Sequence, residues 1–184
     1  MSTKKYRGIS PLLTPDYIFD TFDQVTPEFL LSKGITALLI DIDNTLAPYE
    51  QDEPDDRIRE WFSELEKNGI KAALISNNHP PRVELFNKTL GLPAYADSKK
   101  PQSGTLIKAM EAMGVSPENV AGLGDQLLTD TIAVHRLGIP SIIVPPIKDK
   151  TNLFFKSKRL IERPFIARYH RINKKVVNAE HEKN

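Results

Sequence analysis

The run Leu38-Leu39-Ile40-Asp41-Ile42-Asp43-Asn44-Thr45-Leu46 decides the fold of this chain. Its apolar start reads as a buried strand, and it stops abruptly in two carboxylates. Burying an ionised carboxylate is costly unless a cation or partner neutralises it, so this strand end points to a cation site. Strand alternation sends Asp41 and Asp43 to one side, where both can serve one centre. Taken alone, Asp-x-Asp also fits a polar strand end followed by an asparagine turn. The rest of the chain separates the two readings.

Downstream, Pro54 to Asn68 carries Ile58, Trp61, Phe62 and Leu65 at helical spacing and stops at Asn68-Gly69. An apolar strand, Ile70 to Ser76, follows. Pro80-Pro81 opens a helix through Leu90, closed by Gly91, and a short segment near Ala94 to Ala96 leads to Lys99-Lys100-Pro101. A helix over Ser103 to Met113, a strand from Val120 to Asp125, a helix from Leu127 to Leu137 and a strand from Ile139 to Val144 complete the pattern. Upstream, Thr14-Pro15 and Thr26-Pro27 each read as an N-cap followed by proline at the first helical position. Two short helices are therefore expected before Gly34, and Ile35 to Ile42 forms the first core strand. Strands and helices alternating at these intervals predict an α/β fold, its parallel sheet covered on both faces through right-handed crossovers.

The 184 residues fit one domain with appended segments. These are a helical leader (1–34) packed on the core, a core (35–150) and a basic C-terminal extension (151–184). No apolar run approaches the roughly 20 residues needed to span a bilayer, so an integral membrane protein is not expected. Lys4-Lys5 precede no long apolar stretch, which gives no secretory signal. Cysteine is absent, removing disulfides, thiolate nucleophiles and cysteine zinc sites, and a cytoplasmic location is the expectation. The net charge is only +1, but Lys156, Lys158, Arg159, Arg163, Arg168, Arg171, Lys174 and Lys175 surround a single acid, Glu162.

Three predicted strands end in polar groups: Asp41/Asp43, then Ser76-Asn77-Asn78, then Asp125. In a parallel sheet such ends share one edge, so residues far apart in sequence converge. Together with Lys100 they suit a magnesium-assisted phosphate site, because hard carboxylate oxygens fit Mg²⁺ and a lysine ammonium fits phosphoryl oxygens. No histidine cluster suggests another metal. His79, beside the Ser76 turn, is either a substrate contact or a surface residue.

In order and on matching elements, Asp41-Ile42-Asp43-Asn44-Thr45, Ser76, Lys100 and Gly124-Asp125-Gln126 through Asp130 resemble the four motifs of the haloacid dehalogenase (HAD) superfamily of phosphohydrolases. The resemblance implies a HAD-like Rossmannoid three-layer sandwich. It implies Asp41 as nucleophile forming an aspartyl-phosphate, and Asp43 as the acid that protonates the leaving oxygen and then activates water. It places Mg²⁺ on the Asp41 carboxylate, the Asp43 backbone carbonyl and Asp125. Phosphoryl oxygens fall to Ser76 and the Asn77 amide, and transition-state charge to Lys100. Lys99 competes for that last role, but Lys100 precedes proline as the third motif requires. Thr45 is implied to tune Asp43. Asp130 either orients Lys100 or a metal-bound water, or caps the adjacent helix.

Neither interval between motifs is long enough for a cap domain, so the expected site is open and suits a large or surface-bound substrate. Within the superfamily the chain resembles the YqeG-type branch of subfamily IIIA, which includes phosphatidylglycerophosphate phosphatases. The carriers are Gly34-Ile35, Asp41 to Leu46, Ser76-Asn77-Asn78, Lys100-Pro101, Gly124 to Asp130 and Pro11-Leu12-Leu13-Thr14-Pro15. The implied reaction is removal of the terminal phosphate from phosphatidylglycerophosphate to give phosphatidylglycerol. Leu153-Phe154-Phe155 with Ile161, Phe165, Ile166 and Tyr169 among the basic residues fits peripheral contact with an anionic membrane at its inner face, each cation contributing about 1 kcal/mol. The same residues fit simple packing on the domain. Two further readings are a soluble phosphatase of nucleotide or sugar phosphates and, in another class, an RNA- or ribosome-associated module using the basic tail.

Overall fold

The computed structural model of the protein describes residues 8–148 and 160–172. The first half holds α1 (Ile9–Leu13), β1 (Tyr17–Ile18), α2 (Pro27–Ser32), β2 (Ala37–Ile40), α3 (Asp56–Lys67) and β3 (Lys71–Ile75). The second half holds α4 (Pro80–Asn87), β4 (Ala94–Tyr95), α5 (Gly104–Met113), β5 (Val120–Gly124), α6 (Ile132–His135), β6 (Ser141–Ile143) and α7 (160–172). The strands form one all-parallel sheet in the order β1-β6-β5-β2-β3-β4. The expected mainly parallel three-layer sandwich is thus present.

Its layers follow from strand parity. Leu38, Ile40 and Ile42 enter one core with Ile58, Trp61, Phe62 and Leu65 of α3 and Val83 and Phe86 of α4. Ala37 and Leu39 enter the opposite core with Leu106, Ala109, Met110 and Met113 of α5 and Val134 of α6. Both faces are covered, so the central strands are apolar throughout. The chain runs from β2 outward to β3 and β4, then returns to the other side of β2 for β5. The crevice between β2 and β5 is therefore the sheet's switch point, where such folds bind ligands.

Two parts of the N-terminal reading change. Thr14-Pro15 closes a helix instead of opening one: Thr14 is extended (φ −88°, ψ 117°), as a residue before proline prefers, and its amide bonds back to the Ser10 carbonyl. The segment after it joins the sheet as β1, pairing with β6 through Tyr17 opposite Ile142 and Ile18 opposite Ile143. Thr26-Pro27 does open a helix, with Thr26 Oγ1 accepting from the Phe29 amide. Leader and sheet are further tied at buried His135. Its Nδ1 lies 2.9 Å from the Leu12 carbonyl, and its Nε2 lies 2.9 Å from Asp16 and 3.0 Å from the Ser141 hydroxyl.

From Leu127 to Thr131 the expected helix is a single π turn that passes into α6. Phe165 and Ile166 of α7 pack with Leu13, Leu127, Leu128, Ile132 and Ile143, and Tyr169 Oη accepts from the Ile18 amide. No described helix is long and apolar enough to cross a membrane. Leu153-Phe154-Phe155, Lys156, Lys158, Arg159, Lys174 and Lys175 lie outside the described residues. Between β2 and β3 the only helix is α3, and between β3 and β4 the only helix is α4, so neither interval inserts a cap domain.

Candidate active site

Asp41 and Asp43 follow directly from β2, on the parity of Ala37 and Leu39. The Asp41 amide donates to the Leu123 carbonyl at 2.9 Å, carrying the β2–β5 ladder one residue further. Asn44 then takes a left-handed conformation (φ 68°), which asparagine tolerates better than most residues, and turns the chain back. Thr45 Oγ1 donates to Asp41 Oδ2 at 3.1 Å. Its contact is thus to Asp41, not to Asp43.

Lys100 Nζ spends its three donors on Asp41 Oδ1 (2.7 Å), the Ile75 carbonyl (2.7 Å) and Asp130 Oδ1 (2.8 Å). Asn77 fixes this loop from below: its Oδ1 accepts from the Lys100 amide (2.7 Å) and the Ser98 hydroxyl (2.8 Å), and its Nδ2 donates to the Lys100 carbonyl (3.1 Å). Lys99, by contrast, is exposed and points its neighbour inward through a left-handed backbone (φ 57°). Ser76 Oγ accepts from the Asn78 amide at 2.9 Å and lies 3.5 Å from Asp43 Oδ2. Asp130 reaches Lys100 because β5 carries glycine where the following turn crosses it. A Cβ on Gly124 would sit 2.5 Å from Asp130 Cβ, and one on Gly122 2.4 Å from Val134 Cγ1.

Asp41, Asp125 and Asp130 each offer a carboxylate oxygen within 4.8 Å of the others, and all three are buried. One lysine cannot neutralise them. Burial pushes the Asp41 carboxyl up to about 7, and Asp130 and Asp43 add to the rise against the pull of Lys100. Asp125 is also held well above the ordinary carboxylate range, by burial first and then by the Asp41 and Asp130 charges. Burial alone would lower Lys100, but Asp130 and Asp41 hold its ammonium above the usual lysine range. An all-oxygen set carrying excess negative charge fits a hard divalent cation. Asp41 and Asp130 each pair with Lys100, and Asp130 also accepts from the Gln126 amide (3.1 Å).

The centre opens into a cavity of about 270 Å³ lined by Asp41, Asp43, Ser76, Asn77, Lys100 and Asp130, with Tyr49, Asn78, Gln126 and Thr129 at its sides. Burial and the surrounding carboxylates raise the Tyr49 phenol, keeping it a neutral donor. His79 does not line this cavity; it is exposed and pairs with Asp97 at 2.9 Å. Sequence reading missed two charged residues. Arg82, in the first turn of α4, places Nε 3.2 Å from Asp43 Oδ1. A cation in a helix's first turn is disfavoured by the helix dipole, a signal that it answers an acid elsewhere. Glu162 of α7 is buried and accepts from the amides of Leu127 (2.9 Å) and Leu128 (3.2 Å), just beyond Asp125. Its signal was its isolation as the one acid in a basic segment.

Comparison with known proteins agrees with this geometry. The haloacid dehalogenase-like hydrolase family profile matches residues 5–138. A protein of Bacillus subtilis (strain 168) named probable phosphatase YqeG is 32% identical over 153 residues, covering 83% of this chain and 89% of its own. In fold, the chain is similar to an uncharacterised protein from Listeria monocytogenes serotype 4b, with a TM-score of 0.52 and 15% identity over 64% of this chain and 85% of that one. The protein is a member of the haloacid dehalogenase-like hydrolase family.

Proposed function

We propose that the protein is a Mg²⁺-dependent phosphomonoester hydrolase working through an aspartyl-phosphate on Asp41, and that its substrate is phosphatidylglycerophosphate. The observation that carries the reading is the buried group of Asp41, Asp125 and Asp130 around the single ammonium of Lys100. Asp41, Asp125 and the Asp43 carbonyl would hold the ion, which when bound supplies the charge that lets an anionic phosphate approach a carboxylate. Asp41 attacks phosphorus and Asp43 gives its proton to the departing oxygen. Asp43 then takes a proton from the water that displaces Asp41. Ser76 and the Asn77 amide receive the phosphoryl oxygens. Lys100, oriented by Asp130, stabilises charge on the transferring group.

Several features favour a lipid substrate. No cap is inserted between β2 and β4, which leaves the cavity open to a large or surface-bound substrate. On α7 the apolar Leu160, Ile161 and Ile172 are exposed beside exposed Arg163, Arg168 and Arg171, a combination that anionic bilayers attract. Phe165, Ile166 and Tyr169, which the sequence also offered to a membrane, are used in packing on the domain. The test is phosphate release with and without Mg²⁺, comparing phosphatidylglycerophosphate in mixed micelles with soluble nucleotide and sugar phosphates. The reading predicts Mg²⁺-dependent turnover with the lipid preferred. Efficient turnover of soluble esters alone overturns the substrate, and no Mg²⁺-dependent release from any ester overturns the reaction.

A further inference from the structure

Asp43 is gripped on both carboxylate oxygens. Oδ2 accepts from Asn78 Nδ2 at 3.2 Å and lies 3.5 Å from the Ser76 hydroxyl. Oδ1 is held by Arg82, with Nε and Nη2 each at 3.2 Å, Nη2 lying off the hydrogen-bond axis. Arg82 is itself anchored. Its side chain is only 11% exposed, its Cζ stands 5.1 Å from the Phe86 ring centre, and Nη1 donates to the Asp52 carbonyl at 3.4 Å. Asp52 belongs to the same loop as Tyr49, which borders the cavity, whereas Arg82 does not line it. Arg82 therefore stands behind Asp43, placed to aim that carboxylate and not to bind the phosphate.

We infer that Arg82 is a positioning residue: it fixes the Asp43 carboxyl at the angle from which it protonates the leaving oxygen, and clips the Tyr49 loop to α4. The inference rests on the reading of Asp43 as the general acid. It has a consequence that mere structural support lacks. An alkoxide such as a glycerol oxygen must be protonated as it departs, while 2,4-dinitrophenolate leaves without a proton. Mis-aiming Asp43 therefore slows attack on alkyl esters and spares the activated aryl ester. The ratio of kcat/KM values isolates this step, because kcat/KM stops at phosphoenzyme formation and is blind to the later attack of water, which both esters share.

The experiment measures kcat/KM for glycerol 3-phosphate and for 2,4-dinitrophenyl phosphate in the full chain and in Arg82→Gln, Arg82→Lys and Asp43→Asn. General acid catalysis is worth about 10²- to 10⁴-fold. In Arg82→Gln the alkyl ester is expected to lose roughly 10²-fold in kcat/KM and the aryl ester less than about threefold. Arg82→Lys, which keeps a cation without the guanidinium fork, recovers part of that loss and serves as the test should Arg82→Gln fail to fold. Equal losses on both esters, or none on either, overturn the inference. Asp43→Asn keeps the two failures apart. A shifted alkyl-to-aryl ratio in Asp43→Asn with none in the Arg82 variants sinks the role of Arg82 alone, and an unshifted ratio in Asp43→Asn sinks the general acid itself.

Discussion

Replacing the proposed nucleophile should make the metal-free protein more stable, and the gain should depend on pH. Asp41 sits at about 7 in the folded protein, against 3.8 for an unhindered carboxyl, chiefly because it is buried. At about 1.4 kcal/mol per pH unit, keeping it ionised above pH 7 costs the fold roughly 4 kcal/mol. Water in the open cavity reduces this to about 2 kcal/mol in practice. The direction follows from proton binding. Between pH 4 and 7 the folded state holds a proton that the unfolded state has released, so stability falls as pH rises through this window and is flat above it. Asp41→Asn removes that loss and eases Asp125, which feels the Asp41 charge. Lys100 keeps Asp130 as its partner. Thermal unfolding in EDTA should show Asp41→Asn close to the natural protein at pH 4 and exceeding it by roughly 4–8 °C at pH 8, given about 2–4 °C per kcal/mol for a chain of this size. Saturating Mg²⁺ should close the gap by stabilising only the natural protein, by about 3 kcal/mol at a hundredfold excess over Kd. A variant less stable than the natural protein at pH 8 in EDTA, or a pH-independent difference, refutes the reasoning.

Gly124→Ala drives a methyl to within 2.5 Å of Asp130 and must displace it from Lys100. We expect a stability loss of about 1–3 kcal/mol and an activity loss of about 10- to 100-fold, read by calorimetry and phosphate release; unchanged activity would remove Asp130 from the account. Glu162→Ala strands the buried amide of Leu127 and the partly buried amide of Leu128, at about 1–3 kcal/mol, and loosens the segment behind Asp125. Its half-saturating Mg²⁺ concentration should rise severalfold, and an unaltered metal titration would confine Glu162 to a packing role.

The carriers of the fold were legible because they are local. The pattern of Leu38, Ile40 and Ile42 against Leu39, Asp41 and Asp43 is strand parity, and the cores divide along it. Ile58, Trp61, Phe62 and Leu65 are buried on α3 as their helical spacing demands. Convergence of Asp41, Ser76, Lys100 and Asp130 on one cavity follows from parallel strands sharing an edge. What escaped was set by distant partners. β1 is two residues long, too short for any periodicity, and exists because β6 offers it a ladder. Arg82 and Glu162 each stand out in sequence only by charge, one as a cation in a helix's first turn and the other as a lone acid, and folding alone shows that one answers Asp43 and the other the amides after Gln126. Thr45, implied by the motif to serve Asp43, meets Asp41 instead, because the Asn44 turn brings it back over the first acid.

The most direct test of the central claim is chemical trapping of the phosphoenzyme. The protein is mixed with Mg²⁺ and phosphatidylglycerophosphate in micelles, quenched in acid within the first turnovers and reduced with borohydride, which converts an acyl phosphate to an alcohol. Peptide mass spectrometry then locates the reduced side chain. The account predicts reduction at position 41 alone, dependent on both Mg²⁺ and substrate. Turnover that proceeds with Asp41 unmodified, or a phosphoryl group trapped on another residue, would contradict it.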